Sequence, residues 1–546
     1  MTTYTSLYPD VDIPITDVYS FIFDSTHAAS TPRRDAVALI DANTGRKVTH
    51  GELVHKISAL ASGLRNNLKL NKWDVVAVFS PNDVEYPVAV HGIAKAGLTS
   101  TLINPSYTAD EVAYQLKDAG AKIIIASPLL LPVVIPAAAK AGIAKSNIFL
   151  LNAEASSGVK SLYELFSSQY LPPVEFTRDE LMNRPAYLCY SSGTTGRSKG
   201  VETTHYNMVA NVTQFVKMLD YTKLRSADEV WTGVLPFYHI YGLNMSVHSA
   251  IYMQIPLVVF TKFDLVQFVE SIARYRITYS HLVPPILVRL AKDPIVEKYD
   301  VSSLRAVMSG AAPLSAEVAH EFGTKLKCEV MNGYGLTESS PLAMFGTPDA
   351  PVGSVGRLVP NVQARLVDPD TKKDVPKNQP GELWIRGPMI MKGYHNNPSA
   401  TAETVDSDGY LHTGDVCIID DNGYFSIVDR YKELIKYNGL QVPPAELEGY
   451  LLTHPDIADA AVISRPDAAA GELPRAYVVR KPNTTVTEQA IVKFIEGKVA
   501  QHKRLRGGVV FVTEIPKLAS GKILRRVIRE MDKELLKKEA GGKAKL

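Results

Sequence analysis

A large, multi-lobed α/β fold with parallel doubly wound sheets, a small β-subdomain and a smaller α+β C-terminal domain is what this 546-residue sequence predicts. Three features carry that prediction: β-branched runs alternating with Ala/Leu-rich helical segments as far as residue 430, a strand-rich stretch punctuated by Gly and Pro, and a polar, helical remainder. The runs Asp74 to Phe79, Lys122 to Ala126 and Asn147 to Leu151 are short and rich in Val and Ile, so they read as strands. Each borders a helical segment such as Glu52 to Leu68 or Tyr86 to Ala96, which is the strand-helix-strand order of a parallel sheet. The most apolar window, Ile123 to Ala139, is broken by Pro128, Pro132 and Pro136, and predicts strand, loop and helix rather than a membrane span. Between Val355 and Ile385, Gly356, Pro360, Pro369, Pro380 and Gly381 separate short strands and predict the β-subdomain. After Asp429-Arg430-Tyr431-Lys432 the sequence turns polar; Pro443 to Glu448 opens a helix and Leu524 to Lys538 forms an amphipathic one. The domain boundary is therefore expected near Asp429, with units 1–429 and 430–546.

Composition excludes several function classes. Fifty-nine basic against 57 acidic side chains leave a formal charge of +2, too small a field to steer nucleic acid. Cys189, Cys328 and Cys417 are far apart with no CxxC pair, so neither a disulfide framework nor a zinc cage is expected, and the chain reads as intracellular. Met1 to Leu7 has neither a basic n-region nor an apolar h-region, which argues against secretion. Ala544-Lys545-Leu546, after the flexible Gly541-Gly542, has the small-basic-leucine form of the tripeptide read by the peroxisomal import receptor; the expected location is the peroxisome, otherwise the cytoplasm.

The chemistry is concentrated in five short segments. Tyr190 to Val201 packs three glycines, five Ser/Thr residues and two cations into one loop. Glycines let backbone N–H groups turn toward an anion, hydroxyls such as Thr194 can reach Mg²⁺, and Lys199 or Arg197 supplies charge, so the loop predicts contact with a polyphosphate. It lacks the Gly-Lys-Ser/Thr ending of a P-loop, and its apolar flanks argue against a surface linker. Gly333-Tyr334-Gly335-Leu336-Thr337-Glu338 offers glycines for close backbone approach, an aromatic to stack on a base, a hydroxyl, and in Glu338 a carboxylate suited to Mg²⁺; alone it would read equally well as an ordinary loop. Asp415, closing Tyr410 to Asp415, is suited to accept hydrogen bonds from a ribose diol, with helix capping as its rival reading. Pro236 to Gly242 crowds three aromatics around His239 and could wall an organic-acid pocket, although such a histidine is more often a packing residue. Pro516 to Ile523 sets Lys522 on a glycine turn, where a mobile ammonium can reach a phosphate; alone it would read as surface charge.

Taken together, these segments resemble the adenylate-forming enzymes: acyl-CoA synthetases, 4-coumarate:CoA ligases, firefly luciferase and peptide-synthetase adenylation domains. The resemblance runs from about Thr49 to Arg526 and includes Ser309 to Pro313, Thr413-Gly414-Asp415, Asp429-Arg430, Lys436 to Gly439 and Ser520-Gly521-Lys522 in the family's order. Phe237 to Tyr241 and Gln441 to Glu448 look most like the 4-coumarate:CoA ligase branch. The resemblance implies two steps: a carboxylate attacks the α-phosphate of MgATP to give acyl-AMP and pyrophosphate, then the thiol of CoA displaces AMP. It implies ATP and AMP binding by Ser191, Ser192, Gly193, Thr194, Thr195, Gly196, Lys199, Ser309, Gly310, Ala311, Ala312, Pro313, Gly333, Tyr334, Gly335, Thr337, Asp415, Ile427, Arg430 and Lys522, with magnesium on Glu338 and Thr194. It implies catalytic roles for Lys522, Lys436, Gln441, His239 and Thr337, with Lys522 serving the first step and Lys436 and Gln441 brought to the site for the second; Asn438 and Gly439 join Lys436 at CoA, and the C-terminal domain is implied to be mobile, turning about a hinge that maps to Lys432.

The resemblance to the 4-coumarate:CoA ligase branch implies an acid pocket of Tyr238, His239, Ile240, Tyr241, Asn244, Leu282, Met308, Gly310, Ala311, Gly333, Pro341, Leu342 and Ala343. Two departures from plant hydroxycinnamate enzymes stand out: Met308 where those carry Lys, and Ala343 where they carry a larger residue. An unpaired buried polar group costs ~1–3 kcal/mol, so loss of that donor disfavours a substrate hydroxyl and points to a fatty acid or an aryl acid of low polarity. Asn438 replaces a Lys common in the family. An adenylation enzyme loading an amino acid onto a carrier protein would need an acidic residue near the aromatic motif, and Pro236 to Ser246 has none. A luciferase-like oxidase is left open by the motifs, whereas a non-catalytic nucleotide-binding module is expected to have lost Lys522 or Glu338.

Overall fold

A computed structural model describes residues 2–23, 33–191, 198–438, 440–467, 470–518 and 521–543. Alternation along the strands explains the two large sheets. In Val75–Phe79, Val76 and Val78 face a central core while Ala77 and Phe79 face a second core on the outer side; Ile123 and Ile125 against Ile124 and Ala126 divide the same way. Both faces are covered, so these strands are apolar throughout, as in a doubly wound parallel sheet. This first sheet has eight strands, ending in the antiparallel pair Pro185–Ser191 and Lys199–Thr204 with Gly393–Tyr394 at the edge.

The second sheet, of nine strands, divides its residues likewise: Ala306 and Met308 point into the central core, Val307 into a separate outer one. Its parallel strands Tyr279–Leu282, Ala306–Ser309 and Glu329–Gly335 end side by side, which puts Leu282, Ser309 and Gly333 along one carboxyl edge. Ligands of open α/β sheets bind outside such edges. The central core thus lies between the two sheets and continues under the β-subdomain through Ala364, Leu383 and Ile385.

The β-subdomain is an antiparallel sheet of Gln363–Val367, Gly381–Arg386, Leu411–Ile419 and Phe425–Arg430, and so extends well past Ile385. It also recruits Tyr4–Thr5 at its edge, Tyr4 opposite Ala364. The helix expected over Glu52 to Leu68 is regular only over His50–Ser62 and widens to π-type turns at Gly63–Asn67. Its start is a reciprocal cap: Thr49 Oγ1 accepts from the Glu52 amide and Glu52 accepts from the Thr49 amide. No described helix is long and apolar enough to cross a membrane; Ile123 to Ala139 resolves into strand Ala121–Ala126 and helix Leu131–Ala141.

The last β-subdomain strand ends at Arg430, and Ile435–Tyr437 already belongs to a fourth sheet with its own core around Leu447, Val462, Val478 and Ile491. Between them Asp429 clamps the junction: its carboxylate accepts from the Arg430 amide at 2.7 Å and from the Ala445 amide, in the first turn of helix Pro444–Leu452, at 2.9 Å. The final helix runs over Arg525–Lys543, beyond the expected Lys538.

Candidate active site

Ser191 and Lys199 are register partners in antiparallel strands, so the glycine-rich loop leaves and re-enters the first sheet at one place. Ser192, Gly193, Thr194, Thr195 and Gly196 lie outside the described residues. Tyr190 braces the loop's base, donating from its hydroxyl to Asp118 at 2.6 Å. Lys199 holds its ammonium 3.8 Å from the centre of the Tyr394 ring.

Opposite stands the Gly333 to Glu338 segment. Close backbone approach requires glycine at 335, where a Cβ would sit 1.8 Å from the Pro341 carbonyl oxygen; at Gly333 a Cβ would fall 2.2 Å from Met308 Cε, the movable end of a flexible side chain. Tyr334 donates to Asp415 Oδ2 at 2.6 Å, so its hydroxyl is already engaged, while Arg430 Nε lies 3.1 Å from Asp415 Oδ1. Asp415 is only 4% exposed, and each of its oxygens retains lone-pair capacity for a further donor. Thr337 and Glu338 form the short turn Thr337–Ser339, and Tyr394 donates to Glu338 Oε1 at 2.9 Å. Ser309 is buried with its hydroxyl unpartnered, and Ala311 takes a left-handed backbone at φ 68°. Ile427 lies in the strand Phe425–Arg430 opposite Cys417.

Lys522 reaches this group from the other end of the chain. Its turn is tight: Leu518 donates its amide to the Lys522 carbonyl and Gly521 donates to the Leu518 carbonyl. Gly521, at φ 81°, abuts the N-terminal part, where a Cβ would lie 3.1 Å from Pro285 Cδ. Burial, then the neighbouring Arg430 guanidinium, pushes the Lys522 ammonium down to about 8, against the pull of Asp415, Glu338 and Glu433. His239 is held down at about 4 by burial first and by Lys522 second, and its Nδ1 accepts from the Tyr241 amide at 3.2 Å. It is therefore a neutral imidazole at physiological pH, with its proton on Nε2.

The second lysine is elsewhere. Lys436 is exposed, opposite Gln441 in the hairpin Ile435–Tyr437 and Leu440–Val442, with its ammonium 5.6 Å from the Tyr431 ring centre. Asn438 has a left-handed backbone at φ 48° at the hairpin's tip; Gly439 and Ser520 lie outside the described residues. Lys432 is exposed in the turn that follows Arg430.

Ile240, Tyr241, Met308, Leu342 and Ala343 share the central core, and Tyr238 packs on its margin. Tyr241 donates from its hydroxyl to the Met308 carbonyl at 3.1 Å, and Gly310 faces its ring, where a Cβ would be 3.2 Å from Cε1. Pro341 lies against Gly335, an added Cβ of which would be 1.8 Å from the Pro341 carbonyl oxygen. Two expected pocket residues differ from this set. Leu282 packs in the separate outer core of the second sheet, because alternation along Tyr279–Leu282 turns its side chain away from Met308. Asn244 is engaged at both ends of its amide, Nδ2 donating to the Ser340 carbonyl at 2.8 Å and Oδ1 meeting His248 Nδ1 at 3.1 Å. His248 in turn meets the Tyr187 hydroxyl at 3.1 Å. Tyr394, His248 and Tyr187 had no sequence signal of their own; Tyr394 stands in a two-residue strand, too short for any periodicity.

The arrangement combines two carboxylates, two half-buried cations and an apolar wall at one sheet edge, which suits an anionic ligand carrying both phosphate and hydroxyl groups beside an apolar acid. Residues 25–395 match the family model described as AMP-binding enzyme, and 446–522 match the AMP-binding enzyme C-terminal domain. A 4-coumarate-CoA ligase 1 from Narcissus pseudonarcissus is 39% identical over 538 residues, covering 97% of this chain and 96% of that protein. The peroxisomal OPC-8:0-CoA ligase 1 of Arabidopsis thaliana is 40% identical over 521 residues, covering 94% and 92%. Among solved structures, ATP-bound MatB from Rhodopseudomonas palustris has a TM-score of 0.84 at 30% identity, covering 95% of this chain and 99% of that one; apo MatB has a TM-score of 0.74 at the same identity and coverage. With the family model spanning most of its length and such relatives end to end, this chain belongs to the AMP-binding enzyme family.

Proposed function

We propose that the chain is an AMP-forming acyl- or aryl-CoA ligase, and that Lys522 acts in its first half-reaction. The observation that carries the reading is the convergence of Lys522, from the last sheet's domain, with Arg430, Asp415 and Glu338 at the carboxyl edge of the second sheet. A carboxylate oxygen of the acid bonds to the α-phosphorus as the bond to pyrophosphate breaks; the CoA sulfur then bonds to the acyl carbon as AMP leaves. The first transition state gathers negative charge at one phosphorus, where a preplaced ammonium and backbone N–H donors stabilise it. Asp415 fits the ribose diol and neutral His239 orients the acid's carboxylate. No protein nucleophile is needed.

Glu338 is a half-buried hard oxygen donor with one oxygen held by Tyr394, and no cluster of three or more metal-ligating side chains exists among the described residues. That fits Mg²⁺, which is commonly held by one or two carboxylates together with substrate phosphates, here with the Thr194 hydroxyl. When bound, the ion supplies charge neutralisation at the phosphate oxygens.

The units 1–429 and 430–546 turn relative to one another about Lys432, so that Lys522 leaves and Lys436 and Gln441 approach with Asn438 and Gly439 at CoA. The better match to ATP-bound than to apo MatB supports reading the present pose as the adenylating one. For the acid, Met308 against Gly333 and the small Ala343 support an uncharged fatty or weakly polar aryl tail. CoA-dependent AMP release across cinnamic, phenylacetic and C6 to C18 fatty acids tests both levels. AMP is the expected product, with apolar acids preferred; release of ADP would refute the reaction, and strong selectivity for hydroxycinnamates would refute the pocket argument alone.

Two further expectations arise here. Lys522 is cationic below its pKa of about 8, so kcat/KM for adenylation is expected to fall toward tenfold per pH unit above that value, while thioester formation from supplied acyl-AMP does not share the fall. Lys522→Arg should flatten the alkaline limb; an unchanged limb would remove Lys522 as its source. Ala544-Lys545-Leu546 directs peroxisomal import in this reading, as the peroxisomal relative encourages, and deleting Leu546 from a fluorescent fusion is expected to leave it cytosolic.

A further inference from the structure

One aromatic ring joins the phosphate-loop strand to the Glu338 turn. Tyr394 lies in the edge strand Gly393–Tyr394, paired with Val201 two residues after Lys199. Its hydroxyl donates to Glu338 Oε1 at 2.9 Å, and its face carries the Lys199 ammonium 3.8 Å from the ring centre. Tyr394 is 8% exposed, and backbone amides at and beside it are hydrogen-bonded. The Tyr394 amide donates to Thr401 Oγ1 at 2.8 Å, the Met391 amide to the Glu338 carbonyl at 2.9 Å, and the His395 amide to the Gly200 carbonyl at 2.8 Å.

Opposite charges this near one another would pair and neutralise each other if nothing stood between them. A protein–protein ion pair would take both out of service for a ligand that needs a cation at its phosphates and a carboxylate at its metal. Tyr394 satisfies each with a different part of itself: the electron-rich face takes the ammonium, the edge hydroxyl takes one carboxylate oxygen. A phenol is an O–H donor at working pH, and here its partner is the Glu338 carboxylate. The other Glu338 oxygen keeps its lone pairs for a further partner.

We propose that Tyr394 is a positioning residue that holds Glu338 and Lys199 apart and aims both at magnesium-bound triphosphate. The proposal rests on reading Glu338 as the metal ligand and Lys199 as a phosphate contact. It adds a device that keeps the loop cation and the metal carboxylate simultaneously available.

Without the acid no adenylate forms, so ATP binding to the full chain can be measured calorimetrically with and without Mg²⁺. Tyr394→Phe keeps the ring face and removes the hydroxyl. It is expected to reduce the Mg²⁺-dependent gain in ATP affinity by roughly 3- to 10-fold, with Mg²⁺-free affinity within about 2-fold of wild type. Tyr394→Leu, which also removes the face, should weaken Mg²⁺-free binding as well. In a Glu338→Gln background the Mg²⁺-dependent gain should be lost, and adding Tyr394→Phe should change nothing further. Melting temperature checks that each variant is folded. If Tyr394→Phe keeps the full gain while Glu338→Gln loses it, the positioning role is wrong and the metal reading stands. If Glu338→Gln itself keeps the gain, the metal reading falls and takes this proposal with it.

Discussion

Lys522→Ala is expected to abolish acyl-adenylate formation, by at least ~10²-fold, while leaving the enzyme able to convert supplied acyl-adenylate and CoA into thioester. Lys436→Ala is expected to do the opposite. The asymmetry follows from where the two ammonium groups stand: Lys522 is half-buried near Arg430, Asp415 and Glu338, whereas Lys436 is exposed on a hairpin over Tyr431. An ammonium placed where phosphate charge develops lowers that barrier alone, because thioester formation expels AMP from an already formed adenylate and needs no charge stabilisation for departing pyrophosphate. Separate assays of pyrophosphate release and of thioester formation from synthetic acyl-adenylate read the two steps. Loss of the same step in both variants would eliminate the two-pose mechanism.

Gly335→Ala is expected to damage fold and activity together. The added Cβ would fall 1.8 Å from the Pro341 oxygen and 2.7 Å from its carbonyl carbon, both backbone atoms without a rotamer to yield. That carbonyl is also the acceptor for the Leu336 amide at 3.1 Å and for Ser339 Oγ at 2.5 Å, so it cannot move without loosening the turn that bears Thr337 and Glu338. Overpacking of this kind costs ~1–3 kcal/mol or more, which for a domain this large lowers Tm by a few degrees to about 10 °C. A displaced Thr337–Glu338 turn should cut kcat/KM by a further ~10²-fold, since an error on the order of 1 Å in positioning suffices. Gly449→Ala is the control: in helix Pro444–Leu452 the new methyl meets only Ser315 Cβ, at 3.9 Å, and stability should hold or rise. Calorimetric Tm and steady-state kinetics check both, and a Gly335→Ala enzyme with wild-type values would overturn the close-approach argument.

Much of this protein was determined locally, by residues within one element or one loop. Val75 to Phe79 declares a two-faced strand because its β-branched side chains have no polar side to offer solvent. The Tyr190 to Val201 loop predicts an anion contact from its own glycines, hydroxyls and charges, whereas Gly333 to Glu338 reads no better than an ordinary loop until Gly335 is seen against the Pro341 carbonyl. Tertiary structure alone decided the rest. Whether Leu282 faces Met308 or the outer core depends on register and sheet side, as does the capture of Tyr4–Thr5 by a strand more than 350 residues away. The meeting of Tyr394 with Lys199 and Glu338, and of Asn244 with His248 and Ser340, likewise joins segments whose separation leaves no periodic trace. Local pattern records what a residue needs next to it along the chain; which distant residue meets that need is settled only when sheets and domains pack, by burial and hydrogen-bond satisfaction that no short window contains.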